Sequence, residues 1–295
     1  MSVYFGIAGI PLTCKGRTLK DSIDDIHALD LDAMETQLLR FPIFQNENCL
    51  ELGILARELN VTLSVHTPYY MDIFGTPASR KRSLENIRKS MAVASDLGVS
   101  YVISHLGLYN EYSPSKAMNQ AIDDGSDLIE YIEKKDYKVR LGFVTSGREK
   151  VFGSLEEILT LVEEVPKLVP VVNFGHIHAR EKGILRKKEA YQSIFDQVIA
   201  TTGEKTFYTH FSGVDHKNGN KRMDTPIKKS DIKFEPLAEC LLENPDLDVT
   251  IISTSPLLEH DAQYMKLILE RIQMRKEAKE KRRKAKEEKK KESES

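Results

Sequence analysis

The sequence predicts an α/β chain folded as a (β/α)8 TIM barrel, followed by a charged tail that is helical or disordered. Three observations carry that prediction. Eight short β-rich runs recur about 30 to 40 residues apart, each followed by a stretch of helical character, which is the alternation of a parallel α/β fold. The part of the chain they occupy, about 270 residues, is the usual size of such a barrel. An open doubly wound sheet would carry a glycine-rich phosphate loop after an early strand, and this chain has no G-x-G-x-x-G, no G-x-x-x-x-G-K-[ST] and no G-x-S-x-G. Dinucleotide binding, P-loop hydrolysis and nucleophile-elbow esterase chemistry therefore have no support.

In chain order the strand candidates are residues 3–9 (VYFGIAG), 31–38 (LDAMETQL), 62–68 (TLSVHTP), 101–107 (YVISHLG), 139–145 (VRLGFVT), 169–174 (VPVVNF), 206–211 (TFYTHF) and 249–254 (VTIIST). β-Branched and aromatic residues dominate them. Between the third and fourth runs, Pro77-Ala-Ser79 precedes an amphipathic stretch from Leu84 to Leu97, and between the fifth and sixth, Ser154-Leu-Glu-Glu157 has the form of a capping box. Residues 1–270 are expected to form the barrel and residues 271–295 the tail.

The chain is 295 residues long, 40% hydrophobic and 30% charged, with a net charge of -2. Residues 271–295 hold 12 Lys or Arg against 6 Glu, leaving 31 basic against 39 acidic residues in the rest, so the body is acidic and the tail basic. Glutamates interleaved through the tail suit a solvated helix with i,i+4 pairs as well as a nucleic-acid contact. No apolar run approaches the roughly 18 to 20 residues of a membrane span, and the start of the chain lacks the pattern of a secretory signal. Cys14, Cys49 and Cys240 are odd in number and far apart, so neither a disulfide framework nor a thiolate zinc site is expected. A cytoplasmic protein with no membrane association fits these features.

Working residues of such a barrel lie at the carboxyl ends of its strands. His66, His105 and His210 stand at the ends of the third, fourth and seventh runs, and His176 and His178 follow the sixth within Asn173-Phe-Gly-His-Ile-His178. Convergence of imidazoles from several strands points to a metal or phosphate site. His27 and His260 fall in helical stretches and carry no functional expectation.

Six segments together resemble endonuclease IV, especially its archaeal relatives: residues 64–70 (SVHTPYY), 102–107 (VISHLG), 152–158 (FGSLEEI), 173–180 (NFGHIHAR), 210–213 (HFSG) and 251–257 (IISTSPL). The resemblance covers residues 1 to about 270 in order. It implies a barrel of the xylose-isomerase-like superfamily in which three zinc ions hydrolyse the phosphodiester 5′ to an abasic site in DNA. It also implies that His66, His105, His176 and His210 are metal ligands, that Tyr69 and Tyr70 belong to the loop pushed into the DNA at the lesion, and that Asp224 is an oxygen ligand of the third ion. The family's carboxylates are replaced: its bridging Glu falls at Val144, an Asp at Asn173 and its last-strand Glu at Thr254.

Two dications about 3.5 Å apart repel by about 19 kcal/mol at an effective dielectric of about 20, and carboxylates offset that repulsion where neutral imidazoles cannot. A three-ion cluster is therefore not expected, and at most one zinc is, held by three or four imidazoles. Hydrolysis should be impaired. Sugar isomerases and epimerases of this superfamily resemble one another in a Glu, Asp, His, Glu quartet around one ion, of which this chain keeps only His210. A non-catalytic alternative remains: the rim, with Tyr69, Tyr70, Arg148, Arg180 and Arg222, and further loop cations Lys150, Lys182, Lys217 and Lys221, binds abasic DNA or a small phosphate ligand, with the basic tail nearby.

Overall fold

The computed structural model describes residues 2–39 and 48–293. Strands β1 (Ser2–Ala8), β2 (Ala33–Gln37), β3 (Thr62–His66), β4 (Tyr101–Ser104), β5 (Arg140–Val144), β6 (Val169–Asn173), β7 (Thr206–Phe211) and β10 (Asp248–Ser253) close into one barrel, in the order β1-β10-β7-β6-β5-β4-β3-β2. Every pairing in it is parallel; the seam joins Ser2 to Asp248 and Ile7 to Ser253. Each of the eight expected runs is a barrel strand. The element with no counterpart among them is an antiparallel hairpin, β8 (Gly213–Lys217) and β9 (Asn220–Thr225), inserted after β7.

Helices α1 (Leu19–Ala28), α2 (Cys49–Glu58), α3 (Pro77–Leu97), α4 (Pro114–Lys134), α5 (Leu155–Glu164), α7 (Lys188–Thr202), α8 (Glu235–Glu243) and α9 (Leu258–Ser293) connect and follow the strands, and a short α6 (Phe174–Arg180) caps β6. Side-chain oxygens cap most of them: Thr18, Asn48, Thr76, Ser113 and Ser154 each accept from an orphan N–H of the first turn. The expected Ser154/Glu157 capping box is present in both directions. The amphipathic stretch from Leu84 is the later part of a longer helix that begins at Pro77 behind its Thr76 cap, because Pro at the first helical position needs no amide partner.

Apolar residues form two bodies. The larger lies between barrel and helices; the smaller joins Ala33, Ile103, Val144, Val171, Tyr208 and Ile252 from six different strands. Ser64 Oγ and the Tyr208 hydroxyl, on β3 and β7, lie 2.5 Å apart although those strands are not neighbours, so this contact spans the barrel interior. The interior is thus a packed layer, not a pore.

Helix α9 starts at the carboxyl end of β10 and runs back along the barrel. Gln263 Nε2 donates to Leu29 O, and Lys266 Nζ donates to Asp30 O and Oδ2, so by these residues the helix has reached the loop before β2, at the opposite face. Beyond Lys276, which lies 3.6 Å from Glu243, the side chains described are exposed. The basic tail is therefore helical and leaves the molecule away from the histidine rim, which corrects the expectation of a tail beside it: the helix antiparallel to its strand carries it to the other end. Residues 294 and 295 lie outside the described residues. Among the described residues no helix is long and apolar enough to cross a membrane.

Candidate functional site

Side chains alternate along a strand, so the residues two positions beyond the interior layer face inward again, one level higher. Above Ala33, Ser64, Ile103, Val171, Tyr208 and Ile252 stand Glu35, His66, His105, Asn173, His210 and Thr254. The four histidines form a run of neighbours: His66–His105, His66–His210 and His105–His176 have ring centroids 5.4, 6.4 and 6.3 Å apart. His178, from the same short helix as His176, points elsewhere.

Glu35 is fully buried in the middle of β2 and has no counterpart among the expected site residues. Its Oε2 accepts from His210 Nε2 at 2.7 Å and from the Tyr208 hydroxyl at 3.0 Å, and its Oε1 accepts from Gln37 Nε2 at 2.6 Å. Burial alone would raise the carboxyl, but the neighbouring His210 and His66 and the donated bonds outweigh it and hold the group at about 2, ionised. Burial lowers His66 against the pull of Glu35, lowers His105 to about 3, and lowers His176 well below the usual histidine value, with Lys221 adding to the shift of the last two. His66, His105 and His176 are therefore neutral at pH 7.

The cation beside His176 is Lys221. His176 Nδ1 faces Thr145 O at 2.7 Å, and because a carbonyl only accepts, that nitrogen carries the ring proton. The lone pair on His176 Nε2 then accepts from Lys221 Nζ at 2.9 Å, and the same ammonium donates to Asp224 Oδ2 at 2.6 Å. Burial lowers the lysine while Asp224 opposes the shift. Lys221 and Asp224 share a face of β9 despite their three-residue separation. The reason is a register shift: Asp215 pairs with Met223 and His216 with Lys221, leaving Arg222 as an extra residue that inverts the alternation.

A cavity of about 550 Å³ opens over this group, lined among others by Tyr69, Tyr70, His105, Arg148, His176 and Lys221. Tyr69 and Tyr70 are 72% and 46% exposed and meet edge to face with centroids 5.5 Å apart. Arg148 is exposed on the β5–α5 loop, its Nε donating to Lys221 O. Arg222 is exposed on the hairpin, 4.0 Å from Asp215. Arg180, by contrast, is spent on structure: its Nη1 donates to Arg148 O at 2.6 Å and Val151 O at 2.8 Å, tying down the loop that carries Arg148. It is not free to meet a ligand as the sequence suggested.

The donors do not fit a three-zinc cluster. Val144 lies in the interior apolar layer, Asn173 Oδ1 caps α6 by accepting from His176 N at 3.0 Å, and Thr254 offers a neutral hydroxyl. Glu35 supplies one acid that the sequence reading missed, but it is engaged with His210. Among the described residues, the group of three or more potential ligands whose donor atoms lie within 4.8 Å of one another is instead His178, His216 and Asp231. There Leu185 N donates to His178 Nδ1, so the ring proton sits on Nε2, toward Asp231 Oδ1 at 3.2 Å. A metal would need that nitrogen's lone pair. Arg186 also holds Asp231, at 2.8 Å, and the cluster ties the α6–α7 connection to the segment after the hairpin.

Comparison with known proteins agrees with this architecture. The chain is 25% identical over 264 residues to the uncharacterized protein MJ0133 of Methanocaldococcus jannaschii, covering 88% of this chain and 94% of the relative. Its fold is similar to that of a D-tagatose 3-epimerase-like protein (TM-score 0.69, 20% identity, 92% of this chain and 96% of that one). It is likewise similar to that of endonuclease IV from Thermus thermophilus (TM-score 0.62, 18% identity, 90% and 99%). At those identities the likeness establishes the fold and not the chemistry. The model of the xylose isomerase-like TIM barrel family matches residues 23–266, and the chain belongs to that family.

Proposed function

We propose that the protein binds DNA at a position lacking a base, without the multi-zinc hydrolysis that the resemblance to endonuclease IV implies. The observation that carries this reading is the exposed Tyr69–Tyr70 pair at the lip of the cavity, beside Arg148 and Lys221. Aromatic faces occupy the gap left by a missing base, and the exposed Arg148 guanidinium meets a flanking phosphate. With Val144, Asn173 and Thr254 in place of acids, no arrangement of these residues offsets the repulsion of clustered dications, and no more than one zinc per chain is expected. A metal-dependent sugar epimerase is the weaker reading, because the same positions leave its ion without carboxylates.

The test is fluorescence anisotropy with two duplexes, one intact and one carrying a tetrahydrofuran abasic analogue, in the presence of EDTA. The expected result is a preference of about tenfold or more for the abasic duplex, retained in chelator, weakened by salt, and reduced about tenfold in Tyr69→Ala/Tyr70→Ala. Equal affinity for the two duplexes overturns the proposal, and competition by inorganic phosphate alone reassigns the mouth to a small phosphate ligand. Chelator-sensitive incision of the abasic strand overturns the claim that hydrolysis is lost.

A further inference from the structure

Three groups that converge on one point are each held from behind. The His176 ring is oriented by Thr145 O, and Asp224 Oδ1 accepts from Ser212 Oγ at 2.9 Å, leaving Oδ2 for the site. Lys221 is fixed through its backbone, its N–H donating to Gly147 O at 2.7 Å and its carbonyl accepting from Arg148 Nε at 3.2 Å. An imidazole with its far nitrogen anchored on a carbonyl, facing a carboxylate braced by a hydroxyl, is the way proteins prepare a divalent-metal site. Here both donor atoms instead face one nitrogen of the chain, at 2.9 and 2.6 Å.

We propose that Lys221 is a built-in replacement for a metal ion: its ammonium sits between His176 and Asp224 and keeps divalent cations out of a position those two residues would otherwise offer them. This goes beyond the proposed DNA-binding role and holds whether or not the mouth takes DNA. The argument is one of charge and lone pairs. The ammonium neutralises Asp224 and consumes the single lone pair of His176, so an incoming zinc would find a cation in its place and one ligand nitrogen already engaged. Removing the ammonium leaves a carboxylate and an imidazole still aimed at the same space, and a carboxylate introduced at position 221 adds a third protein ligand, enough for zinc with solvent in the fourth place.

The experiment is a zinc titration of the full chain after chelator treatment, read by competition with a chromogenic chelator and by the NMR signals of the imidazoles. In the native chain, zinc is expected to leave the His176 ring signals unmoved, and His176→Ala is expected to leave zinc uptake unchanged. Lys221→Ala should gain zinc affinity of about tenfold or more over the native chain, and Lys221→Glu a larger gain. In each case adding His176→Ala or Asp224→Asn should abolish the gain. Movement of the His176 signals by one equivalent of zinc in the native chain overturns the proposal, as does a folded Lys221→Glu that gains no zinc. The native-chain measurement decides the question by itself if the variants do not fold.

Discussion

Glu35 accepts three side-chain hydrogen bonds inside the barrel, two of them from residues more than 170 positions away. Glu35→Ala strands the His210 N–H in a buried space and leaves the Tyr208 hydroxyl only its Ser64 partner, and urea denaturation should show a loss of about 2 kcal/mol; Glu35→Gln, which keeps acceptor capacity, should lose less. His105 makes a separate prediction. Held at about 3 in the folded protein, it stays neutral where the unfolded chain protonates near the ordinary histidine value of 6.5. The unfolded chain therefore binds more protons below pH 6.5, so stability is complete above that pH and is lost as pH falls toward 3. At pH 5 the loss from His105 alone is about 2 kcal/mol, and His66 and His176 shift in the same direction. Urea midpoints at pH 7 and pH 5 measure it, and His105→Gln should narrow the difference; an unchanged difference in that variant would remove His105 as its source.

At the scale of elements, the site is made where the β8–β9 hairpin closes over the β5–α5 loop. A Cβ at Gly147 would stand 2.9 Å from Lys221 Cβ and 3.1 Å from His176 Cα, closer than side chains pack. Gly147→Ala should therefore push the hairpin off the loop at a cost of about 1 to 3 kcal/mol, measured by urea denaturation, and should weaken any ligand that uses Lys221. The hairpin also shows where the sequence stops being legible. The eight barrel strands and the strand-end positions of His66, His105 and His210 follow from β-rich runs and alternation alone, both of which are local. Lys221 and Asp224 are three apart, which on a regular strand puts them on opposite faces, and only the extra residue Arg222 brings them together. Glu35 was hidden for a different reason: its meaning lies in Tyr208 and His210, and nothing near it in the chain announces that pairing. Arg180 misled because a loop cation reads the same in sequence whether it meets solvent or holds a backbone carbonyl.

At the scale of the whole molecule, charge and shape divide in the same way. The barrel carries the acidic excess, while the end of α9 is a basic helix on the face opposite the mouth, braced by Lys284–Glu280 at 3.3 Å and Arg283–Glu287 at 3.6 Å. A truncation after Lys276 removes no buried side chain of the described residues. Its melting temperature should match that of the full chain, and the anisotropy assay should give the same abasic preference, with the salt-dependent attraction to both duplexes reduced alike. A truncated chain that loses its abasic preference would show that the tail reaches the mouth after all. Otherwise the protruding rod is a handle: a tether or fluorophore attached near its end anchors the protein upside down, with the opening turned to the solution, so that single molecules on a surface present their ligand site in one orientation.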